Sequence, residues 1–83
     1  MLLDVIRVEP QPAFRLLLEF ENHERRVFDL TLYLEIGVFR QLKDSSLFRA
    51  AHIAGGAGAW PGEIDIAPEA LYVESLPVHS GAQ

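Results

Sequence analysis

Eighty-three residues with 49% hydrophobic and 23% charged content describe one small globular domain with no room for a second core. Seven Lys+Arg against twelve Asp+Glu give a net charge of −5. That balance disfavours free nucleic acid or an anionic membrane as partner, because both require a cationic footprint. With no cysteine, disulfides, zinc–cysteine sites and thiol catalysis are excluded, in keeping with a reducing cytoplasm. A domain of this size buries only about 60–65% of the surface its unfolded chain exposes, so association with another chain is a natural source of added stability.

The first segment, "LLDVIRVEP", carries Asp4 and Arg7 inside its apolar run, which is unlike a signal peptide. Its β-branched content predicts a strand ended by Pro10, with Leu3, Val5 and Arg7 on one side and Leu2, Ile6 and Val8 on the other. In "AFRLLLEFE" the residues Phe14, Leu16, Leu18 and Phe20 recur at spacing two, the clearest strand signal in the chain. After the hairpin link "ENHE", "RRVFDL" resumes extended structure; the three segments form an antiparallel meander. Arg25 and Arg26 are expected to be solvated.

"DLTLYLEIGVF" changes period. Asp29 or Thr31 can cap a helical turn carrying Leu30, Tyr33, Leu34 and Ile36, and Gly37 stands where a left-handed terminator belongs. "VFRQL" reads as a connector. "DSSLFRAA" predicts a short helix capped by Asp44 or Ser45, with Leu47, Phe48 and Ala51 buried. "AHIAGGAGAW" folds into two short strands about Gly55-Gly56, and Pro61-Gly62 turns the chain into the extended "EIDI". Pro68 suits the first position of a last helix, and Glu69 suits the positive end of its dipole. The expected fold class is α+β: three N-terminal meander strands plus a short β-hairpin, with two or three short helices. Residues 1–75 make the compact domain and 76–83 a flexible tail.

Four acids, Glu63, Asp65, Glu69 and Glu74, crowd around "AWPGEIDIAPEALYV". Glu63 and Asp65 would share a strand face beside Trp60, the ingredients of an acid/base pair. The competing reading makes Glu63 a solvated turn charge and Asp65 an acceptor for backbone N–H groups opening the "APEALY" helix; this scaffold reading is preferred. Trp60, Pro61 and Gly62 then set a turn, and Leu71 with Tyr72 closes the core. "GGAG" lacks the residues of a phosphate loop. His23, His52 and His79 show no metal-ligand spacing, with His52 half-buried at most. Ser45 and Ser46 lie at a helix start rather than in a nucleophile elbow. The aromatic residues are spread over nearly every element, as core residues are. The expectation is a non-enzymatic protein without catalytic, cofactor or metal site.

Tyr33, Leu34, Gly37, Phe39, Leu42, Asp44 and Phe48, then Trp60, Asp65, Pro68, Leu71 and Tyr72, occur in an order that resembles the small bacterial family catalogued as domain of unknown function 2442. Asp29 matches the acid ending the preceding strand, and the likeness spans roughly residues 3 to 74. The link "ENHER" departs from the Asn-Gly or Asp-Gly turn usual there. The resemblance implies an α+β fold with a meander sheet. It also implies an association with two-gene pairs of toxin–antitoxin type and, in longer relatives, fusion to a helix-turn-helix. Two functions follow as expectations. One is a cytoplasmic protein-binding module, the antitoxin or accessory half of such a pair, with a basic product of an adjacent gene as partner. The other is a ligand-sensing regulatory domain. A homodimer through an exposed edge strand fits either. The structural motif expected to hold the domain is Asp29, Gly37, Trp60, Pro61, Asp65, Pro68 and Tyr72.

Overall fold

The computed structural model describes residues 3–78. The fold is α+β, with two antiparallel sheets and short helical segments between them. Strands β1 (Val5–Gln11), β2 (Arg15–Phe20) and β3 (Arg25–Asp29) form the meander. Strands β4 (His52–Ala54), β5 (Ala57–Trp60) and β6 (Ile64–Ile66) form the second sheet in that order. Helix α1 is a single turn, Ser45–Phe48, and α2 covers Pro68–Glu74. A final strand, β7 (Leu76–Pro77), pairs antiparallel with β3 and completes the order β1-β2-β3-β7.

β2 sets the core. Its period-two pattern places Leu16, Leu18 and Phe20 on one face with no exposed surface, and Phe28 of β3 joins them. Trp60, Ile64 and Ile66 of the second sheet, Phe48 of α1 and Leu71 of α2 pack against that face. Edge-to-face aromatic contacts knit the layers: Phe20 with Tyr72 and Phe14 with Phe48, both at 5.2 Å between ring centroids.

β1 departs from simple alternation. A bulge between Val5 and Arg7 ejects Ile6, which is 47% exposed, and brings Val5 and Val8 onto the same inner face. The strand also runs on through Pro10 to Gln11. Proline is tolerated there because β1 is an edge strand. The two sheets are tied at β1's start, where Val5 N donates to Gly56 O at 2.9 Å. Gly55 and Gly56 have φ of +60° and +80°, as the central positions of a two-residue primed turn require. A Cβ on Gly56 would lie 2.4 Å from Asp4 Cγ, so only glycine lets β1 approach the hairpin this closely.

The helical expectation after β3 resolves into two 3₁₀ segments, Leu30–Tyr33 and Gly37–Lys43, so "VFRQL" is helical rather than a plain connector. Asp29 caps the first, accepting from Thr31 N at 3.0 Å and Thr31 Oγ1 at 2.6 Å. Gly37 adopts φ +51° and opens the second segment rather than closing the first. Asp44 caps α1 through Ser46 N at 2.9 Å.

Two expectations about the C-terminal third are corrected. Asp65 caps nothing: it is exposed in the middle of β6, and α2 is capped by Ala67 without a side-chain acceptor, Pro68 starting the helix. The two-residue spacing that buries Ile64 and Ile66 turns Asp65 outward. The stretch expected to be a flexible tail from residue 76 begins instead as β7, and Val78 N donates to Arg25 O at 3.0 Å. A two-residue strand has no periodicity to read, and the domain extends at least to residue 78.

The indole N–H of buried Trp60 donates to Phe48 O at 2.9 Å, pinning the end of α1 to the second sheet. Trp60→Phe removes that donor, leaves Phe48 O with only the longer bond from Ala51 N at 3.3 Å and opens a small void; a loss of about 2 kcal/mol is expected in urea denaturation. Asp65→Ala should stay within about 0.5 kcal/mol of the parent.

Candidate interaction surface

The meander sheet buries one face only, and its other face is the candidate site. Its composition follows from the strand register. Glu9 lies opposite Leu17, Leu17 opposite Val27, and Val27 opposite Leu76, so a single row crosses all four strands. Leu17 and Val27 are half-buried and Leu76 is 73% exposed. On one side runs the row Arg7–Glu19–Arg25, and on the other Gln11–Arg15–Asp29. An apolar strip is thus bordered by two rows of mixed charge.

This face is held from behind by a polar cluster. Arg26 was expected to be solvated, but its side chain is only 12% exposed. Alternation carries the reason: Arg26 lies two residues before Phe28 and therefore points to the core side. Its guanidinium donates to Ser75 Oγ at 2.7 Å, Ser75 O at 2.8 Å and Glu24 Oε2 at 2.5 Å. It also lies over the Tyr72 ring, 4.3 Å from the centroid. Tyr72 in turn donates to Glu24 Oε1 at 2.8 Å, and the otherwise buried Ser75 donates to Tyr72 O at 3.0 Å. This closed set docks the end of α2 onto β3 and so places β7, and Leu76 with it, at the rim of the sheet. The Tyr72 and Arg26 hydrogen bonds hold the Glu24 carboxyl below its ordinary range, and the same Glu24 bond pushes the Tyr72 phenol up. Tyr33 donates to Glu74 at 2.5 Å, a bond that, with burial, pushes its phenol up to about 12.

The sequence-expected motif residues do not gather into a site. Asp29 caps the first 3₁₀ segment, Gly37 opens the second, Trp60 is in the core, Pro61 and Gly62 form the turn into β6, and Pro68 starts α2. Tyr72 alone reaches the cluster behind the outer face. Glu63 sits exposed in the turn at φ +63° and Asp65 is exposed on β6. His23 and His52 are exposed; His79 lies outside the described residues.

The family model described as "Protein of unknown function (DUF2442)" matches residues 5–77. The chain belongs to the DUF2442 family. That match ends at Pro77, so it takes in β7 as part of the family domain. No curated protein and no solved structure gives a significant match. No helix among the described residues is long and apolar enough to cross a membrane.

Two predictions come from the cluster. Arg26→Lys keeps the charge but loses the fork that serves Ser75 and Glu24 together, and should cost about 2 kcal/mol in chemical denaturation. Tyr33 and Tyr72 are the only tyrosines, and both phenols are raised in the folded chain. The unfolded chain therefore releases these protons first, so the stabilisation is complete below pH 10 and is lost as the pH rises from 10 towards 12. Phenolate absorbance should show neither tyrosine titrating at the ordinary value before the fold is lost, and Tyr33→Phe should flatten the alkaline fall in melting temperature.

Proposed function

We propose that this DUF2442 protein is a cytoplasmic, non-enzymatic protein-binding module, the antitoxin or accessory half of a two-gene pair. The observation that carries this reading is the strip Leu17–Val27–Leu76, half-buried at Leu17 and Val27 and exposed at Leu76, between two charged rows. A chain this small has little apolar surface to spare, and it spends some of it outside the core. The net charge of −5 favours a basic partner, the class of product expected from an adjacent gene, through steering at encounter. The mixed rows Arg7–Glu19–Arg25 and Gln11–Arg15–Asp29 would then fix its orientation.

The face offers more to a partner than the edges do. β1 is interrupted by its bulge, lacks an N–H at Pro10 and is tied to Gly56 at its start; β7 is two residues long. These are the devices that blunt strand-to-strand pairing, so a homodimer built on an edge strand would have little edge to use.

Co-expression with the protein encoded next to it tests the reading. The expected outcome is a stoichiometric complex that the double variant Leu17→Lys/Leu76→Lys weakens by roughly 100-fold, the size of one hot-spot loss. Both positions are solvent-accessible, so the variant's circular dichroism should match the parent. A complex indifferent to the double variant, or no complex at all, would contradict the proposal.

A further inference from the structure

A cleft of about 360 Å³ opens between the β1–β2 turn and α1, with none of the acids of "GEIDIAPEA" in its lining. One wall is the β1–β2 turn, residues 10–14; the other is α1, with Ser45, Phe48 and Arg49. Its volume lies within the range of small-molecule sites.

Three independent features converge on it. First, the turn is held in a conformation that side chains disfavour: Ala13 and Phe14 have φ of +64° and +58°. A bulky residue in the left-handed region is an outlier. Phe14 is fixed there from two directions, by Leu30 N donating to Phe14 O at 2.9 Å and by the edge-to-face contact with Phe48. Second, the strain presents an aromatic wall. Phe14 is half-buried and lines the cleft over the buried Phe48, while Pro10 and Pro12 add apolar surface with no N–H to satisfy. Third, Arg49 lines the same cleft, and among the described residues its guanidinium has no hydrogen bond or ion pair. α1, which carries Phe48 and is followed directly by Arg49, is capped by Asp44 and bonded to Trp60 through the Phe48 carbonyl.

We infer that this cleft is a binding site for a small carboxylate with an aromatic or branched apolar body. The body would lie on Phe14 and Phe48 between the two prolines, and the carboxylate would take the Arg49 fork, the planar donor pair that matches it. A cation would be repelled by Arg49, and a fully polar anion would leave the aromatic wall uncovered. The inference is separate from the sheet-face proposal: one could fail while the other stands.

The test is an amide-resolved NMR titration of the full chain with phenylacetate and isovalerate, with uncharged phenylacetamide as control. The expected result is saturable shifts confined to residues 11–14 and 45–49. Affinity should fall roughly tenfold for phenylacetamide and for Arg49→Gln, as one charge-assisted contact requires. Arg49 is exposed, and the spectrum of the variant itself reports that the fold is kept. The inference is overturned if neither carboxylate produces saturable shifts there. It is equally overturned if the shifts map to the arginines of the sheet face, or if charge removal on ligand and protein leaves the affinity unchanged.

Discussion

The one-sidedness of the meander sheet governs this molecule. Leu16, Leu18, Phe20 and Phe28 are wholly or almost wholly buried on one face, and a chain of 83 residues has only enough further structure to cover that face once. The 3₁₀ segments, α1, the three-stranded sheet and α2 all lie on the covered side, where they contribute the rest of a single core. The opposite face carries Leu17, Val27 and Leu76 among charged residues.

Covering one face from a chain this short requires tight connections, and the structure makes them with three different pieces of chemistry. Gly56 accepts a positive φ and the absence of a Cβ so that β1 can reach the hairpin. Trp60 spends its indole N–H on the carbonyl of Phe48 so that the end of α1 is satisfied in the interior. Arg26 brings a charge to the core side of β3, where Glu24, Ser75 and the Tyr72 ring together satisfy it. The last of these is the most consequential for the surface: removing any member loosens the segment that delivers β7, and with it Leu76, to the sheet.

Much of this was readable in the amino-acid order. The spacing of Leu16, Leu18 and Phe20 gives β2 and its buried face directly, Gly55-Gly56 gives the second hairpin, and Asp29 and Asp44 mark the starts of helical turns. Two of the failures involved a partner distant in sequence. Arg26 reads as a surface arginine until Ser75, 49 residues on, is placed beside it; its position two before Phe28 was the available clue. Leu76 and Pro77 have no pattern of their own and become a strand only by pairing with β3. Asp65 reads as a cap because helix-start chemistry is local, whereas its outward direction is set by the burial of Ile64 and Ile66 on either side. The outer apolar strip was invisible because it exists only once four strands are set in register.

We propose that a partner docks on the outer face of the meander sheet. Hydrogen exchange of the chain, alone and in complex with the protein encoded next to it, addresses that claim most directly. The account predicts that new protection falls on β2, β3 and β7, residues 15–19, 25–29 and 76–78. Protection confined to α2 and the acidic stretch 63–74, with β2, β3 and β7 unchanged, would contradict it.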